Sequence, residues 1–80
     1  MLLTIDWKQT GLKIRGFMKQ EGYSIKQLAN TLFLNESTIK NYLYSETPIP
    51  TETLCHMAKL FGMEKSEDLL AFSNNSTISL

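Results

Sequence analysis

The chain has 80 residues, enough for one small domain, and its eight Lys and Arg residues are balanced by eight Asp and Glu residues. A formal net charge of zero is unusual for a nucleic-acid binder, and a single cysteine, Cys55, excludes an internal disulfide. No apolar run approaches the roughly 20 residues that span a bilayer, and no secretion signal is present. We therefore expect a cytoplasmic protein without membrane contact.

The charge is unevenly distributed along the chain. Residues 1–40 carry six basic and three acidic side chains, a net of +3, whereas residues 41–80 carry two basic and five acidic ones, a net of −3. A dipolar molecule of this kind can present a positive face to phosphates despite its zero net charge.

The first predicted elements are an N-terminal arm over residues 1–9 and a helix from Thr10 to Glu21. Apolar residues alternate with polar ones in the arm, as in a short strand. In the helix, apolar residues recur at helical spacing and are expected to point inward: Ile14, Phe17 and Met18. Gly22 follows, where the end of a helix favours a left-handed residue.

Two short helices joined by a tight turn form the most informative stretch. Ser24 and Gln27 make a capping box for the first of them, and Asn35 is a good N-cap for the second, placed at residues 35–44. Apolar residues form a shared inner stripe: Leu28, Leu32, Leu34, Ile39 and Tyr42. Polar residues occupy the opposite face of the second helix. This pattern is typical of a helix-turn-helix, whose second helix enters the major groove of DNA.

Two prolines in the next loop exclude a continuing helix. A fourth helix is predicted from Thr51 to Gly62 and a short fifth one from Ser66 to Phe72, followed by a frayed tail at residues 73–80. The expected fold is all-α: a single domain of about five short helices packed as a compact bundle, with its helical core at residues 10–72.

Four segments in chain order carry a family resemblance: Ile14-Arg15-x-Phe17-Met18-x-x-x-Gly22-Tyr23-Ser24, Leu28-Ala29-x-x-Leu32, Ser37-Thr38-Ile39-x-x-Tyr42 and Thr53-Leu54-x-x-x-Ala58-Lys59-Leu60-Phe61-Gly62. With them, residues 10–72 resemble the phage-repressor-like helix-turn-helix domain (Cro/repressor, XRE-type). The resemblance implies a lambda-repressor-like bundle with the helix-turn-helix at helices 2 and 3. It also implies a sequence-specific DNA-binding regulator that represses or modulates transcription.

The resemblance also implies site residues. Base contacts carried over from the family fall on Ser37, Thr38 and Asn41, and Glu36 and Lys40 complete the predicted base-reading face. Phosphate contacts fall at the start of the second helix and after the third: Lys26, Gln27, Tyr44 and Ser45. The implied partner is double-stranded DNA, read as an inverted repeat by a homodimer.

Several residues depart from the family's pattern and favour an alternative. Phe33 stands where the turn usually has glycine, and a left-handed Phe costs roughly 1–2 kcal/mol. Ile25 replaces a polar residue that holds phosphate, and Glu36 and Glu46 place carboxylates on or beside the presumed DNA face. The alternative is a protein-interaction module on the same scaffold, antitoxin-like or a partner-binding regulator, with weak DNA affinity.

Catalytic and metal-binding patterns are not found in the sequence. Cys55 and His56 are adjacent, so their side chains diverge by about 100° on a helix, and no acid stands at a spacing that would orient the histidine. No Cys/His spacing suggests zinc, and no glycine-rich phosphate loop is present. We therefore expect no enzyme activity, no metal and no cofactor.

Overall fold

The computed structural model of the protein describes residues 3–74, which form four α-helices, one 3-10 helix and a two-stranded sheet. The elements in chain order are β1 (Leu3–Ile5), α1 (Trp7–Glu21), α2 (Ile25–Leu32), α3 (Glu36–Tyr44), α4 (Thr51–Leu60), the 3-10 helix (Ser66–Leu69) and β2 (Phe72–Asn74). The expected small, mostly helical bundle is confirmed. The expected all-α fold with five helices is wrong, because the structure has four α-helices, and the arm, whose alternation indicated a short strand, forms β1 and pairs with β2.

The first helix begins one turn earlier than the sequence predicted. Asp6 is its N-cap, and the Asp6 carboxylate accepts a hydrogen bond from the backbone amide of Gln9 at 3.0 Å. The predicted start, Thr10, is fully buried, and its hydroxyl oxygen accepts from the amide of Ala71 at 2.9 Å. A polar residue that reads as a cap from local sequence thus holds a distant segment instead. Gly22 ends α1 in the left-handed conformation, as predicted.

The predicted fifth helix is only a single 3-10 turn over Ser66–Leu69. The chain then extends into β2, which pairs antiparallel with β1 and sets Ile5 opposite Phe72. Three of the predicted arm residues, 7–9, belong to α1, and residues 73 and 74 of the predicted tail belong to β2. The rest of that tail, residues 75–80, lies outside the described residues.

Contacts between segments far apart in the chain explain this extended C-terminal stretch. The amide of Asp6 donates to the carbonyl of Ala71 at 2.8 Å, and the Ser73 hydroxyl donates to the Asp6 carboxylate at 2.6 Å. Lys13 also donates, from its ammonium group to the carbonyl of Leu70 at 2.9 Å. The bonds to the Leu70 and Ala71 carbonyls satisfy backbone groups that a fifth helix would otherwise satisfy internally.

The core lies between the four helices and contains most of the apolar residues predicted for it, whereas Phe17, Leu32 and Leu34 are only partly buried against it. The buried hydrophobic side chains of the helices are Ile14, Met18, Leu28, Ala29, Ile39, Tyr42, Leu43, Leu54, Met57 and Ala58. Phe17 and Tyr23 both pack on Phe61, with ring centroids 5.9 Å apart in each case. The apolar stripes of α1 to α4 therefore converge on one cluster.

The position of α3 is set by a close backbone approach from α1. A Cβ atom at Gly11 would lie 2.5 Å from the carbonyl oxygen of Leu43. Only glycine allows the two helices to approach this closely.

In residues 3–74, no helix has both the length and the apolarity needed to cross a membrane.

Candidate nucleic-acid interface

The turn between α2 and α3 forms as the sequence predicted. Ser24 and Gln27 make both hydrogen bonds of the capping box: the Gln27 amide donates to the Ser24 hydroxyl at 3.1 Å, and the Ser24 amide donates to the Gln27 side-chain oxygen at 2.9 Å. Phe33 ends α2 in the left-handed conformation, with φ 58° and ψ 40°. The next amide, that of Leu34, donates to the carbonyl of Ala29 at 2.9 Å. The bonds at the end of α2 fix the direction in which α3 leaves the turn, while the capping box fixes the start of α2.

The third helix buries one face and exposes the other. Ile39, Tyr42 and Leu43 are buried in the core. At about 100° per residue, the opposite side of the helix carries one continuous exposed face. The residues of this α3 face are Glu36, Ser37, Lys40, Asn41 and Tyr44. Four of the five predicted base-reading residues therefore lie together, and the fifth, Thr38, is half-buried at the margin.

The predicted N-cap of α3 is correct in position but not in bonding. Asn35 directly precedes the helix in an extended conformation, yet its side chain makes no capping hydrogen bond. Glu36 places a carboxylate in the first turn, where the positive end of the helix dipole stabilises negative charge. This gives Glu36 a role in helix stability that does not depend on DNA.

The four predicted phosphate-contact residues are exposed at the two ends of the helix pair. Lys26 lies in the first turn of α2, and Tyr44 and Ser45 lie at the end of α3. Gln27 is also exposed, but its side-chain oxygen is engaged in the capping box, so its amide nitrogen is the group left to donate. The sequence assigned Gln27 to both roles: the structure shows the capping box, and the phosphate contact stays a prediction.

A further cation, Arg15, joins this surface from α1. Its guanidinium carbon lies 4.3 Å from the centre of the Tyr44 ring, within the range of a cation–π contact. Its Nε atom is buried without a hydrogen-bond partner among residues 3–74. The sequence shows Arg15 only as a basic residue of the first helix, and no local pattern indicates a contact with Tyr44, 29 positions away.

The basic residues of α1 do not all serve the same side. Lys13 and Arg15 are two residues apart on a helix, so their side chains point in nearly opposite directions. Lys13 points to Leu70, whereas Arg15 points to the end of α3. Among the acidic residues, Glu46 lies exposed in the loop after α3, and its backbone has the left-handed conformation, with φ 54°. The α3 face is thus bordered by cations and carboxylates together.

Among residues 3–74, no group of three or more His, Cys, Asp or Glu side chains is arranged to hold a metal ion. His56 is exposed on α4, as expected for a surface histidine, and Cys55 is half-buried.

Comparison of the chain with protein-family models, curated proteins and solved structures gives no match.

Proposed function

We propose that this protein is a sequence-specific DNA-binding regulator of transcription, a cytoplasmic repressor of the phage-repressor-like helix-turn-helix kind, which needs no cofactor and catalyses no reaction. One observation carries the proposal: the turn after α2 presents α3 with a continuous polar face turned to solvent. A helix of this length and polarity, held by a second helix at its N-terminal end, fits the major groove.

The side chains of the α3 face supply complementary hydrogen-bonding groups for base edges. Asn41 has the amide geometry that pairs with N6 and N7 of adenine, and Lys40 can donate to guanine O6 and N7. Glu36 accepts only, which suits the amino group of cytosine. Ser37 and Thr38 can bond to several bases, so we assign discrimination chiefly to Asn41 and Lys40.

Phosphate binding would be shared among few cations, because the chain has no overall positive charge. Arg15, held over Tyr44, adds a cation near the end of α3, and Lys26 adds one at the start of α2. Each phosphate neutralised releases counterions and steepens the salt dependence of binding. The proposed complex therefore has a modest salt slope compared with strongly basic repressors.

A two-fold dimer reading an inverted repeat completes the proposal, and the strand pair offers a surface for it. Leu3, Ile5 and Phe72 are exposed hydrophobic residues. In an antiparallel pair, directly opposite residues share a face, as do residues two apart on one strand. The register therefore places all three on one side of the sheet, which would be covered by the same side of a second copy.

A second candidate function is a protein-interaction module with weak DNA affinity. Its support is the exposure of Glu36 and Glu46, whose carboxylates repel phosphate. In that case the same face would bind a partner protein rather than DNA.

Selection of duplexes from a random-sequence pool tests the proposal directly. We expect repeated rounds of binding to enrich one short inverted repeat, and a gel shift to show the same preference in DNA upstream of the protein's own coding region. A pool that stays random after selection would contradict sequence-specific binding and favour the interaction module.

A further inference from the structure

Two features of Phe33 are costly in the folded protein, although its amide and that of Leu34 complete the C-terminal cap of α2. Its backbone is left-handed, a conformation that residues with a Cβ atom avoid, and its ring is 94% exposed to water. A glycine at this position would avoid both costs. Strained residues are concentrated at functional sites, and exposed apolar residues that form a contiguous patch mark interaction sites.

The Phe33 ring stands at the edge of a groove between α2 and α4, with a volume of about 250 Å³. The lining residues are Thr31, Leu32, Phe33, His56, Lys59 and Leu60. The apolar side chains of Leu32 and Leu60 form much of its wall. Lys59 supplies a positive charge, and among residues 3–74 no acidic residue lines the groove.

None of the groove residues belongs to the α3 face or to the predicted phosphate contacts. Lys26 lies in the first turn of α2, whereas Leu32 and Phe33 lie at its opposite end. Thr31 precedes them in the last turn of α2, and the other lining residues come from α4, which contributes nothing to the proposed DNA surface. The groove is therefore a separate surface, and its argument does not depend on the proposed function.

We propose that this groove binds a protein partner through a short apolar segment that carries an acidic residue beside its apolar side chains. The Phe33 ring and the leucines would cover the apolar part, and Lys59 would pair with the carboxylate. A two-fold contact with a second copy fits less well, because it would bring two Lys59 side chains together without an acid from the groove to neutralise them. The partner would occupy the groove while α3 remains on DNA.

The test uses a displayed library of random peptides selected on the full chain, followed by titration of the enriched peptides by fluorescence anisotropy. We expect enrichment of peptides that combine apolar residues with Asp or Glu. Phe33→Asn keeps a residue that tolerates the left-handed conformation and should weaken binding about tenfold, as for an aromatic hot spot. Lys59→Glu should weaken the binding of acidic peptides and strengthen the binding of basic ones.

Two matched variants control for indirect effects. Phe72→Asn makes the same chemical change at another exposed ring and should leave peptide affinity unchanged. Lys40→Glu inverts a charge on the α3 face and should also leave it unchanged, which separates the groove from the DNA surface. Loss of peptide binding in either control would overturn the assignment to the groove.

Other results would overturn the proposal in distinct ways. If selection enriches no peptides, or enriches basic ones, the proposed partner with an acidic residue beside its apolar side chains is wrong. A wild-type dimer in sedimentation that dissociates on Phe33→Asn would show that a second copy occupies the groove. Stronger peptide binding after replacing Ile78 and Leu80 by serine in the full chain would identify the chain's own C-terminal residues as the occupant.

Discussion

The α3 face is polar and lies opposite a buried stripe, whereas the groove between α2 and α4 is apolar and bordered by a strained, exposed Phe33. Polar side chains on an exposed helix face cost the fold little, so exchanging them should change binding while the free energy of unfolding stays nearly constant. Phe33 differs from these residues, because its replacement should change both quantities: the free energy of unfolding should rise, and binding in the groove should weaken. The two surfaces therefore differ in how stability and binding respond to mutation.

The largest effect is expected where α1 supports α3, because this contact holds the α3 face in place. Gly11→Ala would press a methyl group against the Leu43 carbonyl, a backbone atom that cannot move aside alone, and should cost about 3 kcal/mol of unfolding free energy. The control is Gly16→Ala, since nothing lies within 4 Å of the added Cβ and the change should stabilise α1 by roughly 0.5–1 kcal/mol. Denaturant titration measures both. A Gly11 variant as stable as the wild type would show that the close approach does not fix α3.

The next effect concerns DNA affinity and the α3 face alone. Asn41→Ala should weaken binding to the selected duplex by about 2 kcal/mol without loss of stability, because a bidentate base contact is removed. Asn30→Ala makes the same change on the exposed side of α2 and should leave DNA affinity intact. Calorimetric titration of both variants is decisive: equal affinities would remove Asn41 from the base-reading set.

The contrast between the surfaces is sharpened by Phe33→Gly. The ring is almost fully exposed, so no burial is lost, and release of the left-handed strain should raise the unfolding free energy by about 1 kcal/mol. Gly22→Ala is the reciprocal change at the left-handed end of α1 and should lower it by about the same amount. A destabilised Phe33→Gly protein would mean that the ring packs against something in the folded state.

The smallest effect is a pH dependence remote from both surfaces. The Ser73 hydroxyl, followed by the Gln9 amide, holds the pKa of the Asp6 carboxyl below its ordinary value. The folded state therefore gains stability from ionised Asp6 above the ordinary pKa, and loses it as the pH falls through the lowered one. Asp6→Asn should flatten this acid limb of the stability curve. Thermal melts between about pH 2 and about pH 5, which bracket the ordinary value, measure this limb. A limb that is the same in Asp6→Asn and in the wild type would locate the acid sensitivity elsewhere.

Locally encoded features of the fold could be predicted from the sequence. The capping box of Ser24 and Gln27, the left-handed Gly22 and the inner stripe of α4 each depend on residues within a few positions of one another. The same periodicity indicated which side of α3 is exposed. The positions of most predicted site residues therefore follow from helical spacing, while their role in DNA binding stays a prediction.

Features that depend on distant contacts could not be predicted. The antiparallel strand pair requires Asp6 and Thr10 to bond to Ala71 and Ser73, more than 60 residues away in the chain. The local sequence indicates something else in both segments: Thr10 resembles an N-cap, and Ser66 resembles the start of a helix that would include Ala71. The contact of Arg15 with Tyr44 is likewise invisible without the packing of α1 against α3.

The most direct test of DNA binding by the α3 face is a duplex titration at several salt concentrations with two charge variants. Glu46 lies in an exposed loop. Glu46→Lys should strengthen binding to any duplex and steepen the slope of log affinity against log salt by about 0.9, because one phosphate contact is added. Lys40→Glu should weaken binding and flatten the slope. Both variants should keep the wild-type unfolding free energy. Affinities that stay near baseline without a salt slope in either variant would contradict the DNA-binding function.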